Sequence, residues 1–266
     1  MQTQDITSHS VASADGTRIG YRKLGSGSPI VLVHGSISTG EQWLAVAEQL
    51  AGTNTVYIMD RRGRGLSADA EEYSLRNEAD DIKAVLGLAG EGAALLGHSY
   101  GAICALEAVR TGASVSSLVL YEPPLPVDAP TAGAALREYA AAVEEGNGDK
   151  AMRIAAAHFL RITPEETEAL AASPLWAGMV ELSATWTREL SEIDLTDVLI
   201  QQYTEIDVPT LLLVGEASPA HLVGASRHLG QRLANVTEHP MPGQNHFAHL
   251  MDPAGVAEAI NAFVHR

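Results

Sequence analysis

Ser99 is the residue best placed to act as a nucleophile, because it lies in a Gly-x-Ser-x-Gly pattern with Gly97 and Gly101. An apolar run precedes the pattern and a helix-length segment follows it, which predicts a sharp turn from a strand into a helix. The two glycines carry no Cβ atoms, so the strand and the helix can cross closely at this turn. A serine hydroxyl exposed there becomes a nucleophile when a neighbouring base withdraws its proton.

His246 is the candidate base, because an imidazole titrates near neutral pH. It lies in the loop Gly243–Phe247, between the last predicted strand and a C-terminal helix, and it follows Ser99 by 147 residues. The fold must therefore bring the two side chains together. Negative charge that develops on a carbonyl oxygen also needs fixed donors, and the backbone N–H of Tyr100, at the start of the predicted helix, is one of them.

Four segments resemble landmarks of the α/β-hydrolase superfamily and occur in the order of that family. They are Val33–Ser36, Asp60–Ser67, Gly97–Gly101 and Gly243–Phe247. The resemblance covers nearly the whole chain. It implies a serine hydrolase that uses no cofactor, and it implies that the backbone N–H of Ser36 is the second donor to the oxyanion.

The acid of the catalytic triad is where the sequence departs from the family pattern. The resemblance places an acid in the turn after the strand Thr210–Val214, but Ser218 occupies that position. A serine hydroxyl carries no charge that could stabilise a protonated imidazole, so another carboxylate is required. The preferred candidate is Glu122, which directly follows the apolar run Ser117–Tyr121 and keeps the order serine, acid, histidine.

Three alternatives to Glu122 stay open: Glu216, Asp252, and a serine–histidine dyad without an acid.

Other reactive residue types have simpler interpretations. Asp60 and Arg62 are typical of a loop whose ion pairs tie strand ends together. Cys104 lies five residues past Ser99 on the predicted helix, and we expect it to be buried and not a rival nucleophile.

Short apolar runs alternate with helix-length segments along the chain, which is typical of an α/β fold. The predicted strands are Thr17–Leu24, Pro29–Val33, Thr55–Met59, Ala93–Leu96, Ser117–Tyr121, Thr210–Val214 and Val236–Met241. Most of these runs are apolar throughout, so we expect a mostly parallel sheet of about eight strands, covered by helices on both faces. The leading strand follows an Asp-Gly turn and is expected to be antiparallel.

Nearly ninety residues between Tyr121 and Thr210 contain no convincing strand but several helix signals, including a capping box at Thr163. Ser173-Pro174 is expected to open a longer helix, with apolar residues at Met179, Leu182, Trp186 and Leu190. We expect residues 123–204 to form a helical cap inserted into a hydrolase core of residues 1–122 and 205–266. Candidate substrate contacts in this cap and in the loops around Ser99 are His34, Ile37, Trp176, Met179, Trp186 and Phe247.

Composition narrows the possible partners. The 266 residues include 17 Lys and Arg against 33 Asp and Glu, a formal net charge of −16. This charge opposes nucleic acid and anionic membrane surfaces, so the expected partner is a small-molecule substrate. One cysteine cannot form an intramolecular disulfide, and no metal site is predicted. The polar N-terminus lacks a signal-peptide pattern and no run could span a membrane, so we expect a cytoplasmic protein, either monomeric or homodimeric.

The first functional hypothesis is hydrolysis of a carboxylic ester of a small neutral molecule through an acyl-enzyme. The acidic surface favours neutral substrates over strongly anionic ones. Superfamily members with the same triad also cleave carbon–carbon bonds, eliminate or form peracids, so a cofactor-free C–C hydrolase, lyase or perhydrolase is the alternative. A second alternative is a non-catalytic small-molecule binding protein of the same fold, because Ser218 stands where the acid is expected.

Overall fold

A computed structural model describes residues 5–266. Its centre is a single sheet of eight strands. The strands are β1 (Thr7–Ala12), β2 (Arg18–Gly25), β3 (Ser28–Val33), β4 (Asn54–Met59), β5 (Ala94–His98), β6 (Ser117–Tyr121), β7 (Thr210–Gly215) and β8 (Val236–Met241). They lie in the order β1-β2-β4-β3-β5-β6-β7-β8. The contacts of β2 with β1 and β4 are antiparallel and all others are parallel, which confirms the predicted fold class.

Helices follow most of the parallel strands. Those of the core are α1 (Leu44–Leu50), α2 (Leu75–Ala89), α3 (Tyr100–Arg110), α10 (Ala220–Gly230), α11 (Ala248–Met251) and α12 (Pro253–Val264). Those between β6 and β7 are α4 (Ala135–Glu144), α5 (Gly148–Ala155), α6 (Pro164–Ala171), α7 (Leu175–Glu181), α8 (Ser183–Asp194) and α9 (Ile200–Tyr203). We call residues 123–204 the helical insertion. Within the described residues, no helix is long and apolar enough to cross a membrane.

The two faces of the sheet pack into two hydrophobic clusters, because successive side chains of a strand point to opposite faces. On β3, Val31 and Val33 belong to one cluster and Ile30 and Leu32 to the other. The first cluster includes residues of α2, α3, α10 and the helical insertion, and the second includes residues of α1 and α12. Burial on both faces explains why the parallel strands are apolar throughout.

Two elements differ from the sequence prediction. Strand β1 was not predicted, because its residues are polar and five of its six are exposed at the edge of the sheet. It pairs with β2 through the predicted Asp15-Gly16 turn. The long helix predicted after Pro174 is two helices, α7 and α8, which break at Leu182. The capping box at Thr163 is present at the start of α6.

The parallel strands all end at one edge of the sheet, and the crossing of β5 and α3 there requires glycine. A Cβ atom on Gly97 would lie 2.3 Å from the carbonyl oxygen of Gly101. A Cβ atom on Gly101 would lie 2.4 Å from the carbonyl oxygen of His34. Both contacts are with backbone atoms that cannot rotate away, so the turn at Ser99 and the loop at His34 can approach only because these residues are glycines.

We predict that Gly97→Ala lowers the free energy of unfolding by about 1–3 kcal/mol or more, because the added methyl group forces β5 and α3 apart. Gly87→Ala is the matched control. Gly87 is exposed within α2 and has open space at its Cβ position. The control should raise the free energy of unfolding by about 0.5–1 kcal/mol through helix propensity. Urea unfolding measures both, and a wild-type midpoint for Gly97→Ala would contradict the steric argument.

Candidate active site

Ser99 lies at the turn between β5 and α3 in a backbone conformation that a residue with a side chain rarely adopts. Its φ is 54° and its ψ is −125°. Its N–H donates to the carbonyl of Tyr121 on the neighbouring strand β6, at 2.8 Å. Its side chain faces a cavity that His246 also lines. Strain of this kind persists only where the surrounding structure holds it in place, and it is common at catalytic positions.

Glu122 and His246 form a hydrogen-bonded pair beside Ser99. The Nδ1 atom of His246 lies 2.6 Å from Oε2 of Glu122. The other carboxylate oxygen, Oε1, accepts the N–H of Gly215 at the end of β7, at 2.7 Å. The Glu122 side chain is fully buried and that of His246 is 9% exposed. With Nδ1 bound to the carboxylate, the remaining ring nitrogen of His246, Nε2, is available to a reacting group.

The other carboxylates that were considered for the triad lie elsewhere. Glu216 is exposed to solvent and forms no contact with His246 among the described hydrogen bonds. Asp252 accepts the N–H of Gly255 and caps the N-terminus of α12. Ser218 lines the cavity, at the position where the resemblance places an acid. Of these carboxylates, only Glu122 contacts His246 in the structure.

The loop that carries His246 is held by two buried side chains. The Tyr121 hydroxyl donates to the carbonyl of Asn245 and accepts the N–H of Ala248, at 3.0 Å. The Nε2 atom of His98 donates to the carbonyl of His246, at 3.0 Å. Because these two side chains lie at the ends of β6 and β5, the histidine loop is attached to the strands that position Glu122 and Ser99.

The imidazole rings of His98 and His249 are buried and neutral in this region. Burial, followed by the charge of His246, places the pKa of His98 well below its usual range and lowers the pKa of His249 to about 3. The ring of His249 stacks on that of Trp43 with a centroid distance of 4.7 Å. Neither ring competes with His246 for a proton near neutral pH. Burial likewise raises the pKa of the Cys104 thiol, which agrees with its expected inert role.

The two backbone N–H groups proposed for the oxyanion have no hydrogen-bond acceptor in the described part of the chain. They belong to Ser36, in the loop after β3, and to Tyr100, the first residue of α3. Arg61 holds the loop before Ser36 in place through two hydrogen bonds. Its side chain donates from Nη1 to the carbonyl of Gly35, at 3.1 Å, and its backbone N–H donates to Nε2 of His34, at 3.0 Å.

A buried charge network joins this loop to the helical insertion. The guanidinium of Arg61 pairs with Glu78 on α2, at 2.7 Å, and with Glu189 on α8, at 2.8 Å. Arg64 also pairs with Glu189. All four side chains are fully buried. Removing one partner of such a network leaves an uncompensated charge, so the insertion is tied firmly to the loop that carries Ser36, one of the two proposed oxyanion donors.

The cavity at Ser99 lies between the edge of the sheet and the helical insertion and has a volume of about 220 Å³. A smaller space of about 40 Å³ adjoins it. Of the predicted substrate contacts, Trp186 and Phe247 line both spaces, while Ile37 and Met179 line the smaller one. Their placement agrees with the prediction, and whether they contact substrate stays a prediction.

Two predicted contacts are not brought to the cavity. His34 is buried, and its Nδ1 atom donates to the carbonyl of Gly35, at 2.8 Å, while Nε2 is engaged by Arg61. Trp176 is buried within the insertion, where Nε1 donates to Asp149, at 2.9 Å, and Arg153 stacks over the ring. Neither His34 nor Trp176 is among the residues that line the two spaces, and both side chains stabilise the local fold.

Several residues that line the cavity were not predicted, among them Arg161, His221 and Ile193. Arg161 and Ile193 belong to the insertion, whose facing depends on how its helices pack. A left-handed residue at the end of a helical turn, as Arg161 is, gives no signal in a single sequence when it is not glycine. Among residues 5–266, no group of three or more His, Cys, Asp or Glu side chains is arranged to hold a metal ion.

A family model described as "Alpha/beta hydrolase family" matches residues 30–259. The chain belongs to the alpha/beta hydrolase family. A solved alpha/beta hydrolase from Sphaerobacter thermophilus superposes with a TM-score of 0.87 and 30% identity, covering 96% of this chain and 99% of that one. This likeness extends over the whole core and the helical insertion.

Two curated relatives of this α/β hydrolase carry names for specific reactions. One is an N-formylmaleamate deformylase from Pseudomonas putida, 38% identical over 118 residues, which are 42% of this chain and 44% of the relative. The match therefore spans less than half of that relative's length. The other is a 2-(acetamidomethylene)succinate hydrolase from Mesorhizobium japonicum, 25% identical over 92% of this chain and 91% of the relative.

We predict that Glu122→Gln lowers kcat with a chromogenic acetate ester by roughly 10³- to 10⁴-fold, because a neutral amide cannot stabilise an imidazolium on His246. The variant should fold, since a Gln oxygen can still accept the N–H of Gly215. Glu216→Gln is the matched control at an exposed position and should keep wild-type kcat. Steady-state kinetics with the chromogenic acetate ester measures kcat for both variants. A near-normal kcat in Glu122→Gln would contradict the assignment of Glu122 as the acid.

Proposed function

We propose that this protein is a serine hydrolase that cleaves carboxylic esters of small molecules through an acyl-enzyme. The observation that supports it best is the pairing of Nδ1 of His246 with the buried carboxylate of Glu122, next to the cavity that Ser99 and His246 line. Acyl transfer to serine requires an acid that orients a base and a base that can take the proton of the serine hydroxyl.

In the acylation half, Nε2 of His246 accepts the proton of the Ser99 hydroxyl while Oγ attacks the substrate carbonyl. The buried carboxylate of Glu122 keeps the imidazole in the tautomer with the proton on Nδ1 and stabilises the cation that forms. The N–H groups of Ser36 and Tyr100 donate to the oxyanion, and the start of α3 adds the favourable field of a helix N-terminus. His246 then gives its proton to the leaving oxygen.

In the deacylation half, water replaces the leaving group. His246 takes a proton from the water, the hydroxide attacks the acyl carbonyl, and the same two N–H groups stabilise the second oxyanion. Return of the proton to Ser99 releases the carboxylic acid. The helical insertion serves as a cap whose largely apolar residues, such as Leu170, Trp186 and Leu190, limit the water around the acyl-enzyme.

A second candidate reaction is hydrolysis of a small open-chain amide. It is favoured by the names of the two curated relatives, a deformylase of an N-formyl compound and a hydrolase of an acetamido compound. Both names also contain an anionic acid, maleamate or succinate. The same triad serves either bond, because His246 can protonate a leaving nitrogen as well as a leaving oxygen. Matched acetate esters and formamides compared at equal concentration distinguish the two.

We predict that a fluorophosphonate labels the wild-type protein once per chain and that Ser99→Ala abolishes the labelling. The wild type should also release the leaving group of an activated ester in a burst of about one equivalent, and Ser99→Ala should show none. Intact-protein mass spectrometry and stopped-flow absorbance measure the two effects. The matched control is Ser114→Ala, an exposed serine in the loop before β6, at the opposite edge of the sheet from Ser99. Labelling that persists in Ser99→Ala would contradict the proposal, and a wild type that binds esters with neither a burst nor turnover would indicate a binding protein.

A further inference from the structure

Arg161 is a cation of the helical insertion that lines the same cavity as Ser99 and His246. It directly follows a wide helical turn, Ala156–Leu160, that extends α5. The residue itself is exposed, which places its guanidinium where the cavity meets solvent.

The guanidinium of Arg161 has no carboxylate partner in the part of the chain that the structure describes. Its one side-chain hydrogen bond is a long contact of 3.4 Å from Nε to the carbonyl of His158. The other ionised group lining the cavity, Glu166, is engaged elsewhere, because its carboxylate accepts the N–H of Thr163 at 2.8 Å in the capping box of α6. The guanidinium of Arg161 therefore has no ion-pair partner among the described residues, and Glu166 adds one negative charge to the same cavity.

The second basic side chain near Arg161 does not share this charge. His221, on α10, also lines the cavity. Burial, followed by the charge of Arg161, lowers the pKa of His221 to about 4, so its ring is neutral at pH 7. The cavity thus holds one permanent cation, opposite in sign to the net charge of the chain.

The backbone at Arg161 is strained in the way seen elsewhere only at the site. Among the described residues, four that are not glycine have positive φ: Ile37, Ser99, Glu122 and Arg161. The first three are, in that order, a residue next to Ser36, the proposed nucleophile and the proposed acid. At the end of a helical turn this conformation, with φ 55° and ψ 43°, favours glycine or asparagine. An arginine kept there at an energetic cost indicates a use for its side chain.

We propose that Arg161 binds a carboxylate group of the substrate, so that the preferred substrates are small esters or amides that carry a negative charge. The inference rests on the proposed function, since it names the substrate class of that same site. It also replaces the expectation of a neutral substrate, which followed from the net charge of −16. The net charge describes the long-range field, whereas the bound substrate meets the local charge of the cavity.

The test compares substrates that differ only in charge, with Arg161→Asn as the variant. Asparagine removes the guanidinium and tolerates the left-handed conformation, so the variant should fold. One pair varies the acyl side, mono(4-nitrophenyl) glutarate against 4-nitrophenyl pentanoate. The other varies the leaving group, 4-acetoxybenzoate against its methyl ester. Arg137→Gln is the matched control, because Arg137 is an exposed cation of the insertion that does not line the cavity.

In at least one pair the wild type should favour the anionic ester, and Arg161→Asn should lower kcat/KM for that ester by about ten- to a hundredfold. The neutral partner should change by less than about twofold, because the triad is untouched. Arg161→Lys should recover part of the loss. Arg137→Gln should alter neither ester, which separates a local contact from the effect of net charge.

Equal losses for charged and neutral esters in Arg161→Asn, or no preference for charge in either pair, would overturn the proposal. Binding of glutarate followed by isothermal titration calorimetry tests Arg161 without catalysis, and the wild type should bind at least tenfold more tightly than Arg161→Asn. If no ester is turned over and no serine is labelled but glutarate binding depends on Arg161, the proposed function fails while the carboxylate site stands. If esters are turned over but neither kcat/KM nor glutarate binding depends on Arg161, the carboxylate site fails while the proposed function stands.

Discussion

The carboxylate of Glu122 is the contact on which the site depends. One oxygen accepts the N–H of Gly215 at the end of β7 and the other binds Nδ1 of His246, so a single buried group joins the ends of two strands to the histidine loop. The strand that Glu122 follows, β6, is the neighbour of the strand that ends at Ser99. The end of β6, the end of β7 and the histidine loop, which are distant in the sequence, are thus held in fixed positions relative to one another. The group that orients the base also fixes the sheet edge on which the nucleophile sits.

The second constraint is the close approach of backbones around Ser99. A Cβ atom on Gly35 would lie 2.9 Å from the Cβ of Ser99, so the loop that carries one oxyanion donor is pressed against the turn that carries the nucleophile. Arg61 donates a hydrogen bond to the carbonyl of Gly35 in this loop and pairs with Glu189 on the helical insertion. The loop that carries Ser36 and the helix that carries Glu189 are therefore parts of one buried framework. Under the proposed function, this framework lets the helical insertion shape the cavity without contributing a member of the triad.

Motifs that depend on backbone geometry could be predicted from the sequence, because glycine spacing and strand order leave few alternatives. Chain order and the position directly after a predicted strand indicated Glu122, and the structure places its carboxylate on His246 while Glu216 faces solvent. Features that depend on packing could not be predicted. Trp176 carries the residue type of a substrate contact but is buried within the insertion, away from the cavity, where Asp149 and Arg153 hold it. The edge strand β1 gives no apolar pattern, because five of its six residues are exposed to solvent.

The hydrogen bond between His246 and Glu122 is the central claim, and ¹H–¹⁵N NMR of protein labelled with ¹⁵N-histidine tests it most directly. A proton on Nδ1 that is bound to a buried carboxylate resonates downfield of ordinary imidazole protons. The account predicts one such signal, assigned by its absence in His246→Gln, which persists in Glu216→Gln and loses its downfield position in Glu122→Gln. A downfield signal that is unchanged in Glu122→Gln would show that another group binds Nδ1 and would contradict the account.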